Sequence, residues 1–141
     1  MTDWNQRFMD LAYHVAGWSK DPSTKVGAVI VNEKEQVLSM GYNGFPRGVY
    51  DCEERYNDRP TKLLFVAHAE RNALDNTYTD VNGATLYSTL FPCSDCAKGI
   101  IQRGIKRVVT SKDWYDHQAK IFSFDITETM FKEADVEVLL L

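Results

Sequence analysis

Three side chains in this sequence have the chemistry and spacing to hold a transition metal: His68, Cys93 and Cys96. Zinc takes imidazole nitrogen and thiolate sulfur in a tetrahedron; a structural site is closed by four protein ligands, whereas a catalytic site keeps one position for water. The sequence offers no convincing fourth ligand, so a zinc held here would be open, as an enzyme requires. Cys93 and Cys96 are i and i+3 and share one face of a helix. Pro92 before them suits a helix start, where its missing N–H costs nothing. A helix start also lowers a cysteine pKa and so favours the thiolate that binds metal. His68 and Glu70 are i and i+2 and would diverge in a helix interior. They reach one ion together only from a first turn, so the spacing predicts two helix N-termini aimed at the same point.

A zinc dication with two thiolates and a neutral imidazole carries no net charge before water binds. It is a weaker Lewis acid than zinc held by three neutral histidines, and a nearby carboxylate is needed as general base. Glu70 is placed to be that base. An H-x-E followed by P-C-x-x-C is the pattern of zinc deaminases acting on nucleobases, in which activated water adds to C4 of cytosine or C6 of adenine while the glutamate moves protons to the ring nitrogen and the departing amine. Each half alone is weak, because C-x-x-C also serves redox pairs and structural zinc. All five fixed residues in order would match by chance in a chain this size on the order of once in ten thousand.

At 141 residues, 44% of them hydrophobic and 26% charged, residues 1–141 are expected to form one deaminase domain with a sizeable core. No apolar run approaches the roughly 20 residues that span a bilayer. The opening Met1-Thr2-Asp3-Trp4-Asn5 lacks the basic and apolar regions of a signal peptide. Three cysteines, two of them assigned to metal, leave Cys52 as a free thiol. So sparse and odd a count fits a reducing, cytoplasmic setting. A formal net charge of −4 argues against a nucleic-acid polymer, whose binders carry a basic footprint. Lys98, Arg103, Lys106 and Arg107 read as a solvated helix end, and a free nucleotide is the expected partner.

Around these residues the pattern predicts the elements that must position them. Trp4, Phe8, Leu11, Ala12 and Val15 recur at helical spacing, with His14 beside the stripe on the surface. Gly17 and the polar run to Thr24 end that helix. Val26 to Val31 and Gln36 to Tyr42 read as strands joined by a short turn, hence an antiparallel hairpin. Asn43 to Lys62 shows no regular element, although Phe45, Tyr50 and Tyr56 argue for order. Leu63 to Ala67 leads into a helix carrying His68 and Glu70 and finishing near Asn76. A third strand covers Ala84 to Ser88, the cysteine helix ends near Gly104, and a fourth strand covers Arg107 to Thr110. Thr127 to Ala134 reads as a helix and Val136 to Leu140 as a last strand. Strands alternating with helices imply a layered α/β domain around one partly parallel sheet.

Several further segments carry a resemblance: Ser19-Lys20-Asp21-Pro22, Lys25-Val26-Gly27-Ala28-Val29, Gly41-Tyr42-Asn43-Gly44-Phe45-Pro46-Arg47-Gly48, His68-Ala69-Glu70-Arg71-Asn72-Ala73 and Thr89-Leu90-Phe91-Pro92-Cys93. With these the chain resembles the deoxycytidylate (dCMP) deaminases of the cytidine-deaminase superfamily, in a compact form such as phages carry. The zinc motif is shared across that superfamily; the Gly41 to Gly48 segment is more particular to the deoxycytidylate branch. The resemblance implies a three-layer fold with a central mixed five-stranded sheet flanked by helices. It implies hydrolytic deamination of dCMP to dUMP with one catalytic zinc per chain. It also gives Asn43 a hydrogen bond to deoxyribose, the Ala69 backbone the pyrimidine carbonyl, and Lys25 and Tyr115 the 5′-phosphate. It further implies a homo-hexamer activated by dCTP and inhibited by dTTP, with Mg2+ on the triphosphate. The effector site would comprise Asn43, Gly44, Arg47, Gly48 and Glu53, its glycines letting backbone approach phosphate.

By residue type alone, Asn43 is also a turn cap, Lys25 also a solvated lysine, and Trp114 with Tyr115 also a covering aromatic patch. Only Cys52, His14 and His117 remain for a second metal, too few for a closed structural site. Rival readings are acceptance of dCTP as substrate, a tRNA adenosine deaminase sharing motif and fold, and a catalytically silent nucleotide-binding subunit. The acidic charge and the Gly41 to Gly48 segment count against the second, and the intact Glu70 against the third.

Overall fold

A computed structural model of the chain describes residues 3–112 and 124–141. Helix α1 (Trp4–Ala16) starts where the Asp3 carboxylate accepts from the Gln6 amide at 3.2 Å and buries Phe8, Met9, Ala12, Val15 and Ala16. The Asp3 cap satisfies one of the amides that every helix start leaves orphaned. Strands β1 (Gly27–Val31) and β2 (Val37–Tyr42) form the expected antiparallel hairpin, with a register shift between Ile30 and Val31. Two short helices follow, α2 (Glu53–Asn57) and α3 (Arg59–Phe65), and then α4 (Ala69–Asp75). The remainder alternates: β3 (Thr85–Ser88), α5 (Ser94–Gln102), β4 (Arg107–Thr110), α6 (Phe124–Glu133) and β5 (Glu137–Leu140).

The five strands make one sheet in the order β2-β1-β3-β4-β5. β1 runs antiparallel to both neighbours, while β3, β4 and β5 are parallel. The parallel half requires crossovers, and α5 and α6 supply them. Strand side chains alternate between faces, which splits the core in two. Ala28, Ile30, Leu86 and Val108 pack against Ala69, Ala73 and Leu74 of α4, Ala97 and Ile100 of α5 and Phe131 of α6. Val29, Val31, Tyr87 and Val109 pack under Phe8, Met9 and Ala12 of α1. The result is three layers around a mixed five-stranded sheet, as the resemblance implies.

The stretch from Asn43 to Lys62, with no element expected, contains α2 and the start of α3. Helices of 5 and 7 residues are too short to show a 3.6-residue period. Their order comes from tertiary contact: Tyr56 stacks on Phe45 with centroids 4.3 Å apart. Leu63 to Ala67 does not run continuously into the His68 helix. Leu63–Phe65 close α3, and Ala67 pairs with Gly44 through bonds of 2.8 and 3.1 Å. Trp114, Tyr115 and His117 lie outside the described residues.

α4 sits unusually close to β2, and Gly41 is the reason. A Cβ there would lie 2.4 Å from the Ala73 nitrogen and 2.6 Å from the Ala69 carbonyl oxygen, both backbone atoms. Neither can move without shifting the helix that follows His68. Gly41→Ala is expected to destabilise the fold by about 1–3 kcal/mol and to lower Tm by roughly 5 °C or more, as read by thermal denaturation. An unchanged Tm would show that α4 is not seated on this strand.

Candidate active site

His68 is the N-cap of α4 and Cys93 the N-cap of α5, both with extended backbone, and Cys96 follows in the first turn of α5. The two helix starts converge as the spacing predicts. His68 Nδ1 lies 3.4 Å from Cys93 Sγ and 3.3 Å from Cys96 Sγ, and all three ligand atoms fall within 4.8 Å of one another. Tetrahedral zinc with bonds of about 2.0–2.3 Å places its ligand atoms roughly 3.5 Å apart, so these residues fit the ion. No other group of His, Cys, Asp and Glu among the described residues comes together in this way.

The same proximity sets the charge on these side chains. The hydrogen bond from Cys96, and behind it that from His68, holds the Cys93 thiol down at about 4. The bond to Cys93 raises the His68 imidazole to about 9. Cys96 is pushed upward, first by its hydrogen bond to Cys93 and then by burial. At neutral pH the metal-free site is therefore a Cys93 thiolate flanked by an imidazolium and a thiol. Glu70 is buried (3% exposed) beside them, and burial raises its carboxyl pKa. Loss of water penalises the charged form, which readies the group to carry a proton. Ser88 Oγ lies 3.0 Å from Glu70 Oε1 and 2.7 Å from the Leu90 carbonyl oxygen, fixing that side of the carboxyl group.

A cleft opens over this cluster, lined by Glu70, Ala69, Phe91, Leu90, Val26 and Asn43 together with Asp21, Thr24, Lys62 and Arg59. Asn43 is buried, its Oδ1 accepting from the Val26 amide at 2.9 Å and its Nδ2 donating to the Thr24 carbonyl at 2.9 Å. An amide has capacity for two more bonds. Lys25 is exposed and does not line the cleft; Tyr115 lies outside the described residues. Gly44 and Arg47 line a separate depression with Tyr42, Phe45 and Asn76, where Arg47 Nη2 donates to Asn76 Oδ1 at 2.8 Å. Gly48 has φ of +81° and open space around its α-carbon, so its turn alone calls for glycine. Glu53 is exposed in the first turn of α2.

Sequence reasoning missed Asp21, Lys62 and Arg59 as cleft residues. Asp21 and Lys62 pair across 41 positions, which no local period signals. Lys98 and Lys106 of the basic cluster are exposed, as a solvated helix end requires, whereas Arg103 and Arg107 are half-buried and bonded within the fold. Arg103 donates to the Leu74 carbonyl, Lys106 pairs with Glu33, and Arg107 bonds Thr85, Asn5 and Tyr87.

An α/β sandwich holding an imidazole, two cysteine sulfurs and a buried carboxyl group at converging helix starts defines a zinc-dependent hydrolytic deaminase. The chain belongs to the cytidine and deoxycytidylate deaminase family: residues 2–112 match the family model described as the cytidine and deoxycytidylate deaminase zinc-binding region. It is 40% identical to the deoxycytidylate deaminase of Pongo abelii, over 93% of this chain and 79% of that one. With the deoxycytidylate deaminase of Homo sapiens it shares 44% identity, over 80% of this chain and 67% of that one. Among solved structures it is similar to the apo dCMP deaminase of the cyanophage S-TIM5, at 29% identity and a TM-score of 0.72, covering 97% of this chain and 96% of that one. No helix among the described residues is long and apolar enough to cross a membrane.

Metal binding requires a neutral imidazole and two thiolates. Cys93 is already deprotonated at neutral pH, whereas His68 and Cys96 each hold a proton. Adding zinc to the metal-free protein at pH 7 is therefore expected to release about two protons per site. Calorimetry in buffers of different ionisation enthalpy measures this number, and a value near zero would contradict the charge state described.

Proposed function

We propose that this chain catalyses hydrolytic deamination of dCMP to dUMP and ammonia, as a single deaminase domain over residues 1–141. The observation that carries the reading is the meeting of His68, Cys93 and Cys96 beside buried Glu70, under a cleft lined by Asn43. The similarity to deoxycytidylate deaminases supports dCMP as substrate, and a related cyanophage enzyme has been solved with dCMP and dUMP bound.

His68, Cys93 and Cys96 would hold the zinc, which supplies Lewis acidity to make water a nucleophile near neutral pH. The other steps belong to the chain. The cleft walls Phe91, Leu90 and Val26 enclose the pyrimidine and exclude bulk water. The Ala69 amide, at the first position of α4, reads the pyrimidine carbonyl. Asn43 uses its spare donor and acceptor on the deoxyribose. Glu70, held on one side by Ser88, takes one proton of the attacking water and passes it to N3. It then takes the second proton from the hydroxyl added at C4 and delivers it to N4, so that C4=O forms as the C4–N4 bond breaks and ammonia leaves. A raised pKa suits this shuttle, since the carboxyl group must hold the proton between the two transfers.

The 5′-phosphate is assigned to Lys25 and Tyr115 on family likeness, and Lys25 directly follows Thr24 of the cleft wall. The effector site is assigned to the loop from Asn43 and Gly44 through Arg47 and Gly48 to Glu53. It would take dCTP as activator and dTTP as inhibitor, each with Mg2+, in a homo-hexamer. The depression beside Arg47 supports that placement. Three unpaired thiols, Cys52, Cys93 and Cys96, accord with a cytoplasmic enzyme.

Ammonia release from dCMP, dCTP, cytidine and a tRNA anticodon loop tests the substrate. dCMP is expected to be converted and the anticodon adenosine left intact; the reverse would make this a tRNA enzyme. Glu70→Gln is expected to retain zinc and lose on the order of 10²–10⁴ in kcat; wild-type turnover in that variant would remove Glu70 from the mechanism. At subsaturating dCMP, dTTP is expected to slow the enzyme and dCTP to relieve it, and a rate indifferent to both would refute the regulatory assignment.

A further inference from the structure

The cleft wall contains a buried ion pair that neither the zinc chemistry nor the phosphate assignment uses. Lys62 Nζ lies 3.2 Å from Asp21 Oδ1, with side chains only 7% and 4% exposed. Asp21 Oδ1 also accepts from the Ser23 and Thr24 amides, at 2.8 and 3.2 Å, so this oxygen alone ties the turn together. Asp21 Oδ2 takes no bond from the described residues, and Lys62 Nζ gives one of its three protons. Burying two charges costs more than a well-packed apolar pair, so such a pair is a poor device for stability alone. A donor and an acceptor left over in a ligand cleft point to a neutral hydroxyl, which accepts from one and donates to the other.

The position selects which hydroxyl. Asn43 Nδ2 donates to the Thr24 carbonyl and the Thr24 amide donates to Asp21 Oδ1, so the two side chains grip the same residue from either side. A sugar held by Asn43 would therefore come next to the pair. Resting on the dCMP reading, we propose that Asp21 and Lys62 together recognise the 3′-hydroxyl of the deoxyribose. That hydroxyl donates to Asp21 Oδ2 and accepts from Lys62 Nζ. A site built to bond a hydroxyl discriminates strongly against the analogue lacking it, because its buried polar groups are left unpaired.

The test compares kcat/KM for dCMP and for 2′,3′-dideoxycytidine monophosphate in the zinc-loaded enzyme. The wild type is expected to prefer dCMP by roughly 10- to 100-fold. Lys62→Met, and the double replacement Asp21→Asn with Lys62→Met that leaves no lone buried charge, are expected to bring that ratio to about one. The ratio is internal to each protein, so a general loss of folded enzyme does not move it. A wild-type ratio near one overturns the assignment without any variant, as does an unchanged ratio in the double variant. If the wild type releases no ammonia from dCMP at all, the substrate reading itself has failed, which is a separate result.

Discussion

The site depends on two helix starts being brought to the same point in space. α4 begins at His68 and α5 at Cys93, and neither sequence neighbourhood could make a metal site by itself. The sheet enforces the meeting. β3 leads through Leu90 and Phe91 into the turn at Pro92, and α4 lies flat on β1 and β2 because Gly41 lets backbone touch backbone. Extended N-cap geometry then turns the His68 and Cys93 side chains off the helix ends toward each other. The first-turn position of Cys96 brings the third ligand without further cost. Precision at the metal is inherited from close packing several ångströms behind it.

Charge is the second constraint. Two sulfurs, an imidazole and a carboxyl group share a pocket with little water, so their protonation states cannot be chosen independently. Without metal the compromise is one thiolate with two protonated neighbours. A zinc ion held by His68, Cys93 and Cys96 would take the place of those protons and leave the set neutral, with Glu70 the titratable group beside it. Desolvation raises the pKa of its carboxyl group, which under the proposed mechanism suits a carrier of protons between water and a leaving amine. Ser88 constrains one oxygen of that group.

Much of this was legible in the chain. The H-x-E and P-C-x-x-C segments pointed to the cluster of His68, Cys93 and Cys96, to Glu70 beside it and to the helix-start geometry, because metal chemistry restricts both residue type and direction. The hairpin, the parallel half of the sheet and α1 followed from periodicity. What was hidden shares one physical cause, namely contact between residues far apart in sequence with no repeating signal. α2 and α3 are shorter than the window a helical period needs and are ordered by Tyr56 on Phe45. The Asp21–Lys62 pair joins a loop to a helix in the cleft wall, and Lys25, a more conspicuous cation by sequence, is exposed and not among the residues lining the cleft. Within the basic cluster at the end of α5, Lys98 and Lys106 are exposed as read, whereas Arg103 and Arg107 are half-buried because their partners, Leu74 and Asn5, come from distant elements.

The central claim is that three protein atoms and no fourth hold a zinc ion beside Glu70. X-ray absorption at the zinc edge of the purified, active enzyme tests it most directly. The account predicts two sulfur scatterers, one imidazole nitrogen and one further light scatterer from solvent that changes when a substrate analogue binds. A shell of four protein donors, or one with other than two sulfurs, would contradict it.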